Sequence, residues 1–191
     1  MGVRALNEAR GFKKIHEPFL LSALGIALTF GFGFAIILVE AIGHRVPLGA
    51  GWLPLAQAHG HAQLFGWLGL FVLGMALYFL PRLVSTRLQS AGRAPIALAL
   101  LVAGIILRGT AQPALGLVES ASDYAMLARA AWLLSAILEI AGVLVIASML
   151  IQTHHTVKAL PPQAPGYPVL PLALIALPSF ALALVANFFG T

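Results

Sequence analysis

Five stretches of the chain, 18–42, 54–80, 95–117, 124–151 and 168–189, are almost wholly apolar, and each is long enough to cross a bilayer. About 20 such residues are needed to span the hydrocarbon core as a helix. Hydrocarbon offers no hydrogen-bond partner, so the backbone of each stretch must satisfy itself, which a helix does within one segment. Composition agrees, with 60% hydrophobic residues and only 9% charged. A water-facing surface needs nearer a quarter charged. The expected fold class is therefore all-α: a polytopic membrane protein of five transmembrane helices in one bundle, with residues 1–191 forming a single domain.

Proline stands at or near the start of four of the five runs, where its missing N–H costs nothing. The longest connection, LPPQAPGYP, is a proline-rich turn between the fourth and fifth. Arg4, Arg10, Lys13 and Lys14 precede the first run, Arg82, Arg87 and Arg93 follow the second, and Lys158 follows the fourth. All fall on one side, which the positive-inside rule makes the cytoplasm. The N-terminus is expected there as a retained lead-in without a small-residue cleavage site. The expected location is a bacterial-type inner membrane. The formal charge of +5 is explained by this topology, and no nucleic-acid partner is expected.

Against this apolar background the ionisable residues stand out, because each is costly in a membrane and marks a candidate site. His59 and His61 open the run HGHAQLFGWLGLFVLGMALYFLPR, and His44 lies near the same outer face. His16, His154 and His155 fall at the opposite face and are not expected to share a site with the pair. Neutral imidazole can ligate iron or copper through one nitrogen while the other donates to an orienting acceptor. Two residues apart on a helix, His59 and His61 point about 200° from one another, so both cannot serve one face of a haem. Ala62, Gly66 and Gly69 beside them, like Gly25, Thr29 and Gly33 on the first run, read as close helix packing or as room for a flat cofactor.

Arg108 and Glu139 are the deepest charges, about 20 Å and 18 Å from the cytoplasmic ends of their runs at 1.5 Å per residue. Equal depth makes an ion pair between them the expectation. Arg129, Trp132 and Ser135 or Ala136 are expected to share the inward face of the fourth run with Glu139. Toward the outer side lie Glu40, Gln57, Gln112, Glu119, Asp123, Tyr124 and Asn187, mostly read as solvated or capping residues, with Asp123 as an N-cap. Met126, one turn into the fourth run, is a possible axial ligand but better read as a core methionine. The absence of cysteine excludes disulfides, thiolate zinc, iron–sulfur clusters and c-type haem attachment.

The run HGHAQLFGWLGLFVLGMALYFLPRL, with its outer-end histidine, glycine-rich aromatic interior and the ending Tyr78-Phe79-Leu80-Pro81, resembles the second transmembrane helix of haem-copper oxidase subunit I. It is also similar to the HxH helix of NnrS-type haem and copper membrane proteins. The resemblance covers about 25 residues strongly and the rest only as a pattern of spans. It implies that the helix-2 histidine is an axial ligand of haem, with His61 the first choice and His59 the second. Full oxidases have about twelve helices and draw further histidines from the later half, whereas this chain has five runs. An intact oxygen- or nitric-oxide-reducing centre within it is not expected.

The function expected is a haem-b-binding membrane protein of oxidase subunit I-like type, concerned with electron transfer or a diatomic gas. His61 and His59 are the candidate cofactor ligands, Arg108 and Arg129 the candidate propionate partners, and His61, His59 and His44 the candidate metal ligands, with copper a lesser candidate than haem. The expected partners are the lipid bilayer and either further copies of the chain or a larger membrane complex. The alternatives are a multi-chain oxygen or nitric oxide reductase and a cofactor-free accessory or transport protein.

Overall fold

A computed structural model of the chain describes residues 14–83, 86–118 and 122–156. Four helices long and apolar enough to cross a membrane account for nearly all of them: α1 (His16–Gly43), α2 (Gly49–Leu83), α3 (Ala91–Leu115) and α4 (Asp123–Thr156). No strand occurs among the described residues. The expected fifth run at 168–189, with Lys158, and the basic residues Arg4, Arg10 and Lys13 lie outside them.

Short connections make neighbouring helices antiparallel. The first half of α1 packs on the second half of α2, α2 continues onto α3, and α3 and α4 form the most extensive pairing. Small residues set how closely they approach. A methyl group at Gly104 of α3 would come within 2.6 Å of the Glu139 Cγ, and one at Gly142 of α4 within 2.6 Å of Leu101. A methyl group at Gly66 of α2 would press on Ile26 of α1 just as closely and meet Ile105 of α3 at 3.4 Å. The packing reading therefore holds for Gly66. It does not hold for the stripe on α1, where methyl groups at Gly25 and Gly33 would meet nothing and Thr29 is exposed.

The buried core runs between the helices through Phe19, Leu70, Ile105, Ile146 and Met149. Large apolar side chains such as Leu21, Ile36, Leu53, Phe71 and Ile137 cover the outer faces instead. In water so extensive an apolar surface is a liability, and in a bilayer it is the required solvent-facing side.

Two helices are locally widened into π turns, α1 at Ala27–Gly31 and α2 at Ala62–Gly69, and the two wide segments pack against each other. A π turn adds a residue to the helical turn and disturbs the regular hydrogen-bond ladder, and such turns recur at functional sites. Here they adjoin both histidines of the HxH pair. Proline is accommodated at helix ends: Pro95 in the first turn of α3, and Pro81 and Pro113 within the last turns of α2 and α3. The N-cap of α4 is Ser122, whose hydroxyl accepts the Ala125 N–H at 3.2 Å, with Asp123 following it in the first turn. The cap thus falls one residue before the expected one.

Candidate functional site

The site grows from the start of α2. Its helix turns His59 and His61 in different directions, as their spacing requires. His59, half-buried, donates its Nδ1–H to the Gly31 carbonyl at 2.9 Å, at the end of the widened turn of α1. His61, only 3% exposed, faces α4. Its Nε2 lies 3.0 Å and 2.9 Å from the two carboxylate oxygens of Glu139. One helix is thereby tied to neighbours on two sides, by hydrogen bonds that short apolar side chains could not make.

Glu139 is delivered by close backbone approach. Gly104 and Ser135 lie beside it, and the α3 and α4 backbones meet there because Gly104 has no side chain. The Phe65 ring stacks on the His61 imidazole with centroids 4.7 Å apart, closing one side of it. The His61 Nδ1 is buried and meets no hydrogen-bond partner. That pattern suits the Nε2–H tautomer. An Nε2–H given to the carboxylate leaves a bare lone pair on Nδ1, whereas an imidazolium would bury an unsatisfied N–H donor.

Arg108 lies 2% exposed on α3, within electrostatic reach of Glu139. Its Nε donates to the Gln112 Oε1 at 3.1 Å, and the Gln112 amide donates in turn to the Gln57 Oε1 at 2.8 Å. The guanidinium carbon also stands 5.6 Å from the Trp132 ring centroid, a cation–π distance. Gln57 and Gln112, expected to be solvated, are therefore members of an internal polar chain that runs from α2 through α3 toward Glu139.

The hydrogen-bonding partner of Glu139 is His61, where depth alone pointed to Arg108. Counting residues from a helix end gives depth but not rotation, and the rotation of α2 decides which side chain reaches the carboxylate. His44 sits at the exposed end of α1, bonded at 3.0 Å to Glu40, and is not brought to His61. Arg129 is exposed on α4, so it does not share the inward face of Ser135 and Glu139. Met126 is 66% exposed and is not a core residue. Among the described residues no three histidine, aspartate or glutamate side chains converge as a metal-binding group.

The donor chemistry fits a haem iron at His59 better than at His61. Iron takes an imidazole nitrogen whose ring is held from the other side. At His59 the carbonyl of Gly31 holds Nδ1 and leaves Nε2 for a ligand. At His61 the carboxylate of Glu139 holds Nε2 in the same way, but the remaining Nδ1 is buried and Ile26 fills the space over Gly66 where a flat group could have lain.

No family model matches the chain, and no curated protein or solved structure matches it.

Proposed function

We propose that the chain is a haem-b-binding integral membrane protein of a bacterial-type inner membrane, with five spans, a cytoplasmic N-terminus and His59 as the iron ligand. The observation that carries this reading is the 2.9 Å hydrogen bond from the His59 Nδ1 to the Gly31 carbonyl. A backbone acceptor on one ring nitrogen fixes the tautomer, orients the ring and makes the other nitrogen a better donor to a metal. The resemblance of the HxH run to oxidase subunit I helices supports the haem reading, with His61 as its first choice of ligand and His59 as its second. Bound haem supplies one-electron exchange or capture of a diatomic gas.

The chain's own residues divide the remaining work. Gly31 holds the His59 ring. The His61–Glu139 pair locks α2 against α4 and so keeps the HxH turn from rotating. Arg129, exposed on α4, would be the propionate partner, while Arg108 is engaged inside the bundle by Gln112. Any further ligand that bound haem takes would come from another copy of the chain or from a partner subunit, which is the basis for reading the protein as part of an oligomer or larger membrane complex. Oxygen or nitric oxide consumption by such an assembly would make it a multi-chain reductase.

Oxidised and reduced absorption spectra of protein from a haem-sufficient host test the proposal. The expected result is a Soret band in the wild type that is kept in His61→Gln, whose amide still donates to Glu139, and lost or displaced in His59→Ala. A wild-type spectrum without a Soret band overturns the haem reading, and a band lost only in His61→Gln overturns the choice of ligand.

A second reading, a cofactor-free accessory or transport protein, is favoured by one observation. The polar chain of Gln57, Gln112 and Arg108, with the His61–Glu139 pair beside it, forms its hydrogen bonds between side chains of the bundle itself. The same spectra separate the two.

A further inference from the structure

We propose that the end of the bundle away from the HxH pair holds an anionic phospholipid, its acyl chain in a cleft between α1, α2 and α3 and its phosphate against Arg82 and Arg87. The cleft has a volume of about 590 Å³. That is within the usual range for sites that hold a small molecule. Phe19 of α1, Leu77 of α2 and Leu98 and Val102 of α3 give it apolar walls, and Arg82 and Arg87 border it. It therefore has an apolar body and a cationic rim, and its body is lined by membrane-length helices. A soluble anion satisfies the rim alone, and an apolar molecule satisfies the walls alone. A ligand that satisfies both carries a negative head and a hydrocarbon tail.

The cationic rim is organised. The Arg82 guanidinium lies 3.6 Å over the Tyr78 ring and donates to the Tyr78 carbonyl at 2.5 Å. The His16 ring packs on the same Tyr78 ring, with centroids 4.3 Å apart. Lys14 and Arg93 lie at the same end of the bundle, and Glu17 is the acidic residue there among the described residues, bonded at 2.7 Å to Lys14. Basic pockets between transmembrane helices at the cytoplasmic surface meet a leaflet rich in anionic lipid, where each Lys or Arg adds appreciably to binding. This proposal does not depend on haem.

The test is native mass spectrometry of the purified full-length chain, given phosphatidylglycerol or phosphatidylcholine with identical acyl chains. The wild type is expected to retain phosphatidylglycerol in preference. Arg82→Gln combined with Arg87→Gln is expected to weaken that retention by about 30-fold, two charges' worth, without changing the weak binding of phosphatidylcholine. Ala99→Phe, which places a ring in the cleft and leaves both arginines, is expected to expel the lipid. Equal retention of the two lipids by the wild type overturns the proposal. So does undiminished phosphatidylglycerol on the Ala99→Phe variant, or displacement of the lipid by inorganic phosphate at equal concentration. If the double glutamine variant does not fold, the wild-type comparison and Ala99→Phe still decide.

Discussion

The His61 Nε2 stands 2.9 Å from one oxygen of Glu139 and 3.0 Å from the other, joining α2 to α4 across 78 positions of sequence. Both side chains are only 2% exposed. In a membrane protein such a pair holds two helices in one rotational setting, because turning either helix would leave a polar group alone in hydrocarbon.

Removing one partner is accordingly expected to cost more than removing both. His61→Leu leaves the Glu139 carboxylate buried without its donor and should destabilise the protein by about 3–5 kcal/mol. The double change of His61 and Glu139 to Leu should cost clearly less than the sum of the two single changes. Thermal unfolding in detergent of the three variants measures this coupling, and simple additivity would show that the pair does not act as a unit.

Gly104 makes the second point of closure. A methyl group there meets the Glu139 Cγ at 2.6 Å and the Ser135 carbonyl at 2.8 Å. Gly104→Ala is therefore expected to destabilise by roughly 1–3 kcal/mol, since a backbone neighbour cannot swing aside. Gly60→Ala, whose methyl would meet nothing, serves as the matched control and should be neutral or slightly stabilising. Equal melting temperatures for both variants would contradict the packing described for α3 and α4.

Arg108→Lys keeps the charge but loses the planar group that reaches Gln112 and lies over Trp132. Lysine at such a position is not a conservative exchange. The variant is expected to lose about 1–3 kcal/mol of stability, as for a buried hydrogen bond made by a charged group. Tryptophan fluorescence should report the change at Trp132 as well, whereas a purely electrostatic role for Arg108 would leave both readouts as they are in the wild type.

His44 provides the contrast. Its bond to Glu40 joins two exposed side chains one turn apart. His44→Ala is expected to change stability by less than about 0.5 kcal/mol and to leave any haem spectrum intact. Loss of a Soret band in that variant would bring His44 back as a ligand.

The four described spans were legible because hydropathy measures burial in lipid directly, and their ends fall within a few residues of those read from the sequence. The internal pairing was less legible. Arg129 and Glu139 are ten residues apart, a separation that leaves them about 80° from alignment on an α-helix, so Arg129 turns outward while Ser135 and Glu139, one turn apart, face in. Gln57 and Gln112 looked like surface residues because each is near a helix end, yet their amides complete the chain to Arg108. The opposite bearings of His59 and His61 could be read from their spacing. Which of the two would find a carboxylate could not, since that depends on how α2 rolls against α4. The π turns carry no residue signature that period counting detects, and they alter the angular positions of everything that follows them.

That last property makes Ala62–Gly69 a phase adjuster within α2. The wide segment absorbs an angular mismatch between the HxH end, whose bearings are set by Gly31 and Glu139, and the far end, where Leu70, Leu73 and Leu77 must enter the core. Winding it at uniform α-helical pitch with every residue kept would swing one end about 100° relative to the other. The two halves of the helix would then compete for alignment, and either the histidines or the leucines would be left facing lipid.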